Sequence, residues 1–137
     1  MEKFYHKINY KLLRNKVFEN SKVLGKYNIA LDATRFQKAH YKVSEEWLSE
    51  TIEDKTTWYL SMLELKLIAN GMAVSLGNEM IKNNDKIEDM NRHKSREEVK
   101  QDCELNASKR LLPKLKKMYP RLPLRIIVEI HYTHQKV

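Results

Sequence analysis

Lys100 to Gln135 reads KQDCELNASKRLLPKLKKMYPRLPLRIIVEIHYTHQ and joins a basic amphipathic helix to an apolar strand that ends in a carboxylate. Ser95 and Glu98 have the spacing of a capping box, so the helix is expected to start there. Its apolar stripe, Val99, Cys103, Ala107, Leu111, Leu115 and Met118, repeats as one buried helical face does. Pro113 lacks an amide hydrogen and crowds the preceding turn, which predicts a kink or a break. Pro120 and Pro123 end the helical region. Beyond them Leu124, Ile126, Val128 and Ile130 share one strand face, and Arg125, Ile127, Glu129 and His131 share the other. A carboxylate at a strand end, here Glu129, can hold a metal ion.

Upstream, KYNIALDATRF places a second carboxylate, Asp32, directly after a short alternating run. Ile29 and Leu31 fall on one face and Asn28, Ala30 and Asp32 on the other, so the spacing predicts a strand over 28–32 with Asp32 at its end. Before it, Phe4, Ile8 and Leu12, then Leu13 and Val17, recur at helical spacing, and Gly25 is expected to close one or two amphipathic helices. Residues 36–57 show little periodicity and read as a loop or a short acidic helix. Asn70-Gly71 supplies the positive φ angles of a type I′ hairpin turn. Leu63, Leu65 and Leu67 alternate on one arm, and Met72, Val74 and Leu76 on the other, which gives an antiparallel pair with one buried face. The polar stretch KNNDKIEDMNRHK, 82–94, reads as a connection. The expected order is therefore helix, strand, hairpin, helix, strand, an α/β class.

The chain has 137 residues, a length that fits one domain. Lys and Arg outnumber Asp and Glu by 26 to 18, a net charge of +8, which favours polyanionic partners, DNA first among them, through phosphate neutralisation. A solvated lysine-rich surface accounts for the same charge. Cys103 is the single cysteine, so no disulfide within the chain can form, as suits a reducing cytosol. No signal-peptide core opens the sequence, and no run approaches the ~18 apolar residues of a membrane span. A cytoplasmic protein with no membrane partner is expected.

These stretches, with RNKVFENSKVLGKY before Asn28 and WYLSMLELKLIANGMAVSLGNEMIKNND between the two acids, resemble the DDE transposases of bacterial insertion sequences from about Arg14 to Gln135. The family is expected to have AIDGT where this chain has ALDAT, and a Gly-Asp-Gly-Leu-Tyr-like end where it has Val128, Glu129, Ile130, His131 and Tyr132. The resemblance implies an incomplete ribonuclease-H-like fold over 28–137 behind a helical segment, 1–27. It also implies DNA transposition by metal-dependent strand cleavage and transfer. Two Mg²⁺ ions, ~3.5–4 Å apart, serve such chemistry by activating one oxygen and neutralising the other. By position Asp32 matches the first acid and Glu129 the second, both as catalytic and metal-binding residues. The third acid has no counterpart before Val137. Glu129 stands where an aspartate is expected, and its extra methylene displaces the carboxylate, so a truncated, vestigial site inactive by itself is expected. The alternatives are a non-catalytic basic nucleic-acid-binding module and a protein-interaction fragment that self-associates through an exposed sheet edge.

Lys109, Arg110, Lys114, Lys116, Lys117 and Arg121 form a basic cluster suited to DNA phosphates, although cations near a helix C-terminus also complement its dipole. Asp32 outside a metal site would be a turn or capping aspartate. Glu79, Asp102 and Glu104 also fall where the family is expected to carry acids, but the helix dipole already explains Asp102 and Glu104. His131 and His134 have a spacing that could offer two zinc ligands, with no third donor nearby. Trp58, Tyr59, Tyr119 and Tyr132 read as core or edge aromatics rather than a base-stacking platform. No glycine-rich phosphate loop or nucleophile elbow is present.

Overall fold

The hairpin at Asn70-Gly71 organises a five-stranded sheet, seen in a computed structural model that describes residues 2–83 and 102–128. Asn70 and Gly71 take φ values of 52° and 72°, as the turn requires, and join β3 (Lys55–Ala69) to β4 (Met72–Ile81). On the other side of β3, β1 (Tyr27–Ala39) pairs antiparallel, with Ile29 opposite Leu67, Leu31 opposite Leu65 and Ala33 opposite Leu63. Period-2 alternation puts these apolar pairs on one face, and Ile29, Leu65 and Leu67 there are fully buried. The opposite face carries Asn28, Asp32 and Thr34 beside Glu64 and Lys66.

The apolar face is covered by α2 (Glu104–Met118), whose Ala107, Leu111 and Leu115 are buried. The helix lies mainly over β4. At Gly77 a side-chain Cβ would stand 3.6 Å from Leu111 Cδ1 and 3.8 Å from Met118 Cε, ordinary contact distances that show how directly the helix lies on this strand. After α2 the chain enters β5 (Leu124–Val128), which runs parallel to β1 from Tyr27 opposite Leu124 to Leu31 opposite Val128. Before the sheet, α1 (Glu2–Arg14) ends in a Schellman motif. Lys16 takes φ 56°, the Lys16 amide donates to Leu13 O at 3.1 Å and the Val17 amide donates to Leu12 O at 3.1 Å. Phe18 and Tyr27 then join the same core as the sheet and α2.

The expected order of helix, strand, hairpin, helix and strand holds with one strand added between the first strand and the hairpin, and several local expectations are corrected. Gly25 does not close a helix. It sits with Leu24 in a tight turn bracketed by Val23 and Lys26, both turn residues at positive φ. Residues 36–57 are neither loop nor acidic helix: they complete β1, form β2 (Leu48–Ile52) and begin β3. β2 pairs with β3 through a turn at Glu53 and Asp54, with φ of 48° and 63°. Acidic residues in place of Asn-Gly, and polar side chains on both faces of this distal arm, hide its period. Asp32 is not at a strand end, because the long β3 keeps offering backbone partners as far as Trp58 opposite Ala39. Finally, of the kink or break expected at Pro113, the break does not occur: α2 is continuous from Glu104 to Met118, with Ala107, Leu111 and Leu115 buried on both sides of the proline. The capping box at Ser95 and Glu98, and Val99, lie outside the described residues, but Cys103, expected on the buried stripe of a helix already under way, is instead the exposed, extended N-cap at which α2 begins. Among the described residues no helix is long and apolar enough to cross a membrane.

Candidate functional site

Asp32 and Glu64 are direct cross-strand partners, so the pleat sets two carboxylates side by side on the open face. Like charges in that position repel, and Lys66 relieves them. Its Nζ lies 3.3 Å from Asp32 Oδ2 and 3.5 Å from Glu64 Oε2. The hydrogen bond to Asp32, with the Glu64 charge, holds the Lys66 ammonium above its ordinary pKa. A cation already occupies the space between the acids, and a metal ion binding there would have to displace it. Glu129 lies outside the described residues, and the β1–β5 register reaches Leu31 opposite Val128. Among the described residues no group of three His, Cys, Asp or Glu side chains can hold a metal ion. The donors among the described residues therefore do not fit a two-metal site. His131, Tyr132 and His134 also lie outside the described residues.

The basic cluster on α2 and the turn after it divides in two. Lys109, Lys116, Lys117 and Arg121 are exposed, with no carboxylate partner among the described residues. Arg110 and Lys114 turn toward the sheet. The Arg110 guanidinium donates through Nη1 and Nη2 to Asp102 at 3.1 and 2.7 Å, through Nε to Glu79 Oε1 at 2.9 Å and through Nη2 to Met80 O at 2.9 Å. Asp102 stands just before the Cys103 N-cap with its side chain fully buried. It accepts the Lys82 amide at 3.1 Å and donates its own amide to Asn83 Oδ1 at 3.0 Å. This network ties the start of α2 to the end of β4. It is a structural use for two acids, Glu79 and Asp102, and the helix dipole alone understates it. The sequence signal was an acid ahead of a helix with an arginine two turns inside.

Burial works to raise the Glu79 carboxyl, but the bonds from Lys114 and Arg110 outweigh it and hold that group below the usual carboxylate range. A depressed folded-state pKa gives stability that is present above the unfolded value and is lost as pH falls through the folded one. Thermal unfolding followed between pH 7 and about pH 3 is expected to show stability falling below about pH 4.5. Glu79→Gln should flatten part of that fall, and an unchanged acid limb would show that the bridge carries none of it.

Tyr119 is buried, and Trp58 and Tyr59 are half-buried, the core and edge positions expected of them. The Arg35 guanidinium lies over the Tyr59 ring at 4.0 Å from its centroid. Comparison with protein-family models, with curated proteins and with solved structures finds no match for this chain.

Proposed function

We propose that this chain is a ribonuclease-H-like domain descended from a DDE transposase, which engages duplex DNA and does not cut it. The observation that carries the reading is the parallel β1–β5 pair in a sheet whose other pairings are antiparallel. Three antiparallel strands, a crossover helix and a parallel strand beside the first are the arrangement such a domain needs. Asp32 follows Leu31 and Glu129 follows Val128 in the sequence, and Leu31 and Val128 are paired. The inactivity rests on the Lys66 ammonium between Asp32 and Glu64 and on the lack of a third donor among the described residues.

Duplex contact is assigned to Lys109, Lys116, Lys117 and Arg121, the exposed members of the cluster. Four neutralised phosphates give a slope of log K against log salt of about −3.6, so affinity should fall about a hundredfold between 50 and 200 mM salt. The purified chain is expected to show that dependence and no nicking or joining with Mg²⁺ or Mn²⁺. Cleavage that disappears in Asp32→Ala would overturn the inactivity, and salt-insensitive binding would overturn the phosphate contacts. The self-association reading has its own support: Ile126 and Ile127 are 40 % and 48 % exposed on β5. Light scattering that showed a stable dimer, with no DNA binding, would replace the DNA reading by that one.

A further inference from the structure

One side of α1 faces the protein. Asn9 is buried there, with Nδ2 donating to Ser75 O at 2.7 Å, His6 Nε2 lies 3.1 Å from Met118 O, and Leu12 and Leu13 pack against the core. Along the opposite side Lys3, Lys7 and Lys11 recur every fourth residue and Arg14 follows three later. All four are exposed, and none has a carboxylate partner among the described residues. At 1.5 Å rise per residue the lysines stand about 6 Å apart along the axis, a spacing of the order of that between successive phosphates on one strand. Like charges four residues apart repel on a helix, so an external polyanion relieves the stripe.

Exposed aromatics flank it. Phe4 is 64 % exposed on one side and Tyr10 is 55 % exposed on the other. Beyond Tyr10 a cavity of 500 Å³ opens between α1 and the turn into β5, with Arg14 on one wall and Pro120 and Arg121 on the other. We propose that this surface binds single-stranded nucleic acid, with phosphates along Lys3, Lys7, Lys11 and Arg14 and an unstacked base against Tyr10 at the cavity. A duplex hides the base faces that an exposed ring stacks on, whereas a single strand presents them. An anionic bilayer is the competing occupant, because Phe4, Tyr5 and Ile8, 64 %, 57 % and 41 % exposed, lie together on one flank of the cations, but it leaves the cavity beside Tyr10 unused. The inference is separate from the transposase reading, which assigns duplex DNA to Lys109, Lys116 and Lys117 of α2 and to Arg121; Arg121, on the cavity wall, is the one residue common to both.

The test uses the full chain and a labelled oligothymidylate, with binding read by fluorescence anisotropy across a salt series. The combined variant Lys7→Gln, Lys11→Gln, Arg14→Gln should bind at least about tenfold more weakly, and the salt slope should shrink by about 2, or 0.7 per phosphate lost. Tyr10→Leu should weaken binding about fivefold or more with the slope unchanged, the mark of a stacking contact rather than a charge. A charge-matched control, Lys38→Gln, Lys42→Gln, Lys55→Gln, should leave affinity within about twofold, since these exposed lysines lie on the distal arm around Trp58 and Tyr59, at the far end of the sheet from Ser75 and α1. Circular dichroism melts establish that each variant is folded. Should the combined variant not fold, Arg14→Gln with Tyr10→Leu replaces it, with the slope expected to shrink by about 0.7 for the one cation removed. Equal losses in the control and α1 variants, or wild-type binding by the α1 variants, would overturn the proposal. So would sedimentation with phosphatidylserine vesicles in the absence of oligothymidylate binding. Loss of duplex binding with single-strand binding intact would instead remove the transposase reading alone.

Discussion

Asp102→Ala is expected to lower the unfolding free energy by about 3 kcal/mol, because it breaks a buried, hydrogen-bonded ion pair by removing one partner. The Asp102 side chain is fully buried and accepts both Arg110 terminal nitrogens and the Lys82 amide. Without it, the Lys82 amide loses its acceptor, and a guanidinium held against the sheet loses its better-buried carboxylate. Glu79 and Met80 O still bind Arg110, so the loss should stay toward the lower end of the range for buried pairs. Urea unfolding measures the change directly. A double-mutant cycle with Arg110→Ala should return a coupling energy above about 1 kcal/mol. A change below about 1 kcal/mol for Asp102→Ala would mean that the junction of β4 and α2 is held by packing alone.

Leu65→Ala should cost about 2–5 kcal/mol, a large part of the ~5–15 kcal/mol that stabilises an ordinary domain. Leu65 is completely buried at the centre of β3, between Leu31 on β1 and Gly77 on β4. Truncation leaves a cavity that the backbone ladders on both sides keep from collapsing. Ile68, three residues on, gives the contrast. It faces the open side of the sheet and is 41 % exposed, so Ile68→Ala should fall within about 0.5 kcal/mol of wild type. Similar losses at the two positions would show that the covered face has been assigned to the wrong side.

Several elements were legible because a local rule dictated each of them. Asn-Gly is the pair that most readily takes two positive φ angles, and the hairpin turns at Asn70 and Gly71. The alternation through Leu63, Leu65 and Leu67 located the buried face, and the repeat of Ala107, Leu111 and Leu115 located the face of α2 that meets it. The distal arm was illegible because β2 and the far half of β1 have little apolar burial to impose a period. Their backbone pairing with β3 alone makes them strands. The candidate site was legible only in part. Asp32 was identified as a strand acid, but nothing within KYNIALDATRF indicates that Glu64 stands opposite it or that Lys66 bridges the two.

Taken alone, the sequence determined the class of each strongly periodic element, the Asn70-Gly71 reversal and an excess of positive charge, because each depends on near neighbours along the chain. Tertiary structure decided where the charges went. Arg110 and Lys109 are adjacent on one helix, yet Arg110 lies against Asp102 and Glu79 while Lys109 faces solvent. Their different fates depend on which side of α2 rests on β4. The same packing carries the helix through Pro113, and the reach of β3 places Asp32 within a strand rather than at its end. Periodicity shows that a face is buried, whereas the partner of a charge on it is set by segments tens of residues away.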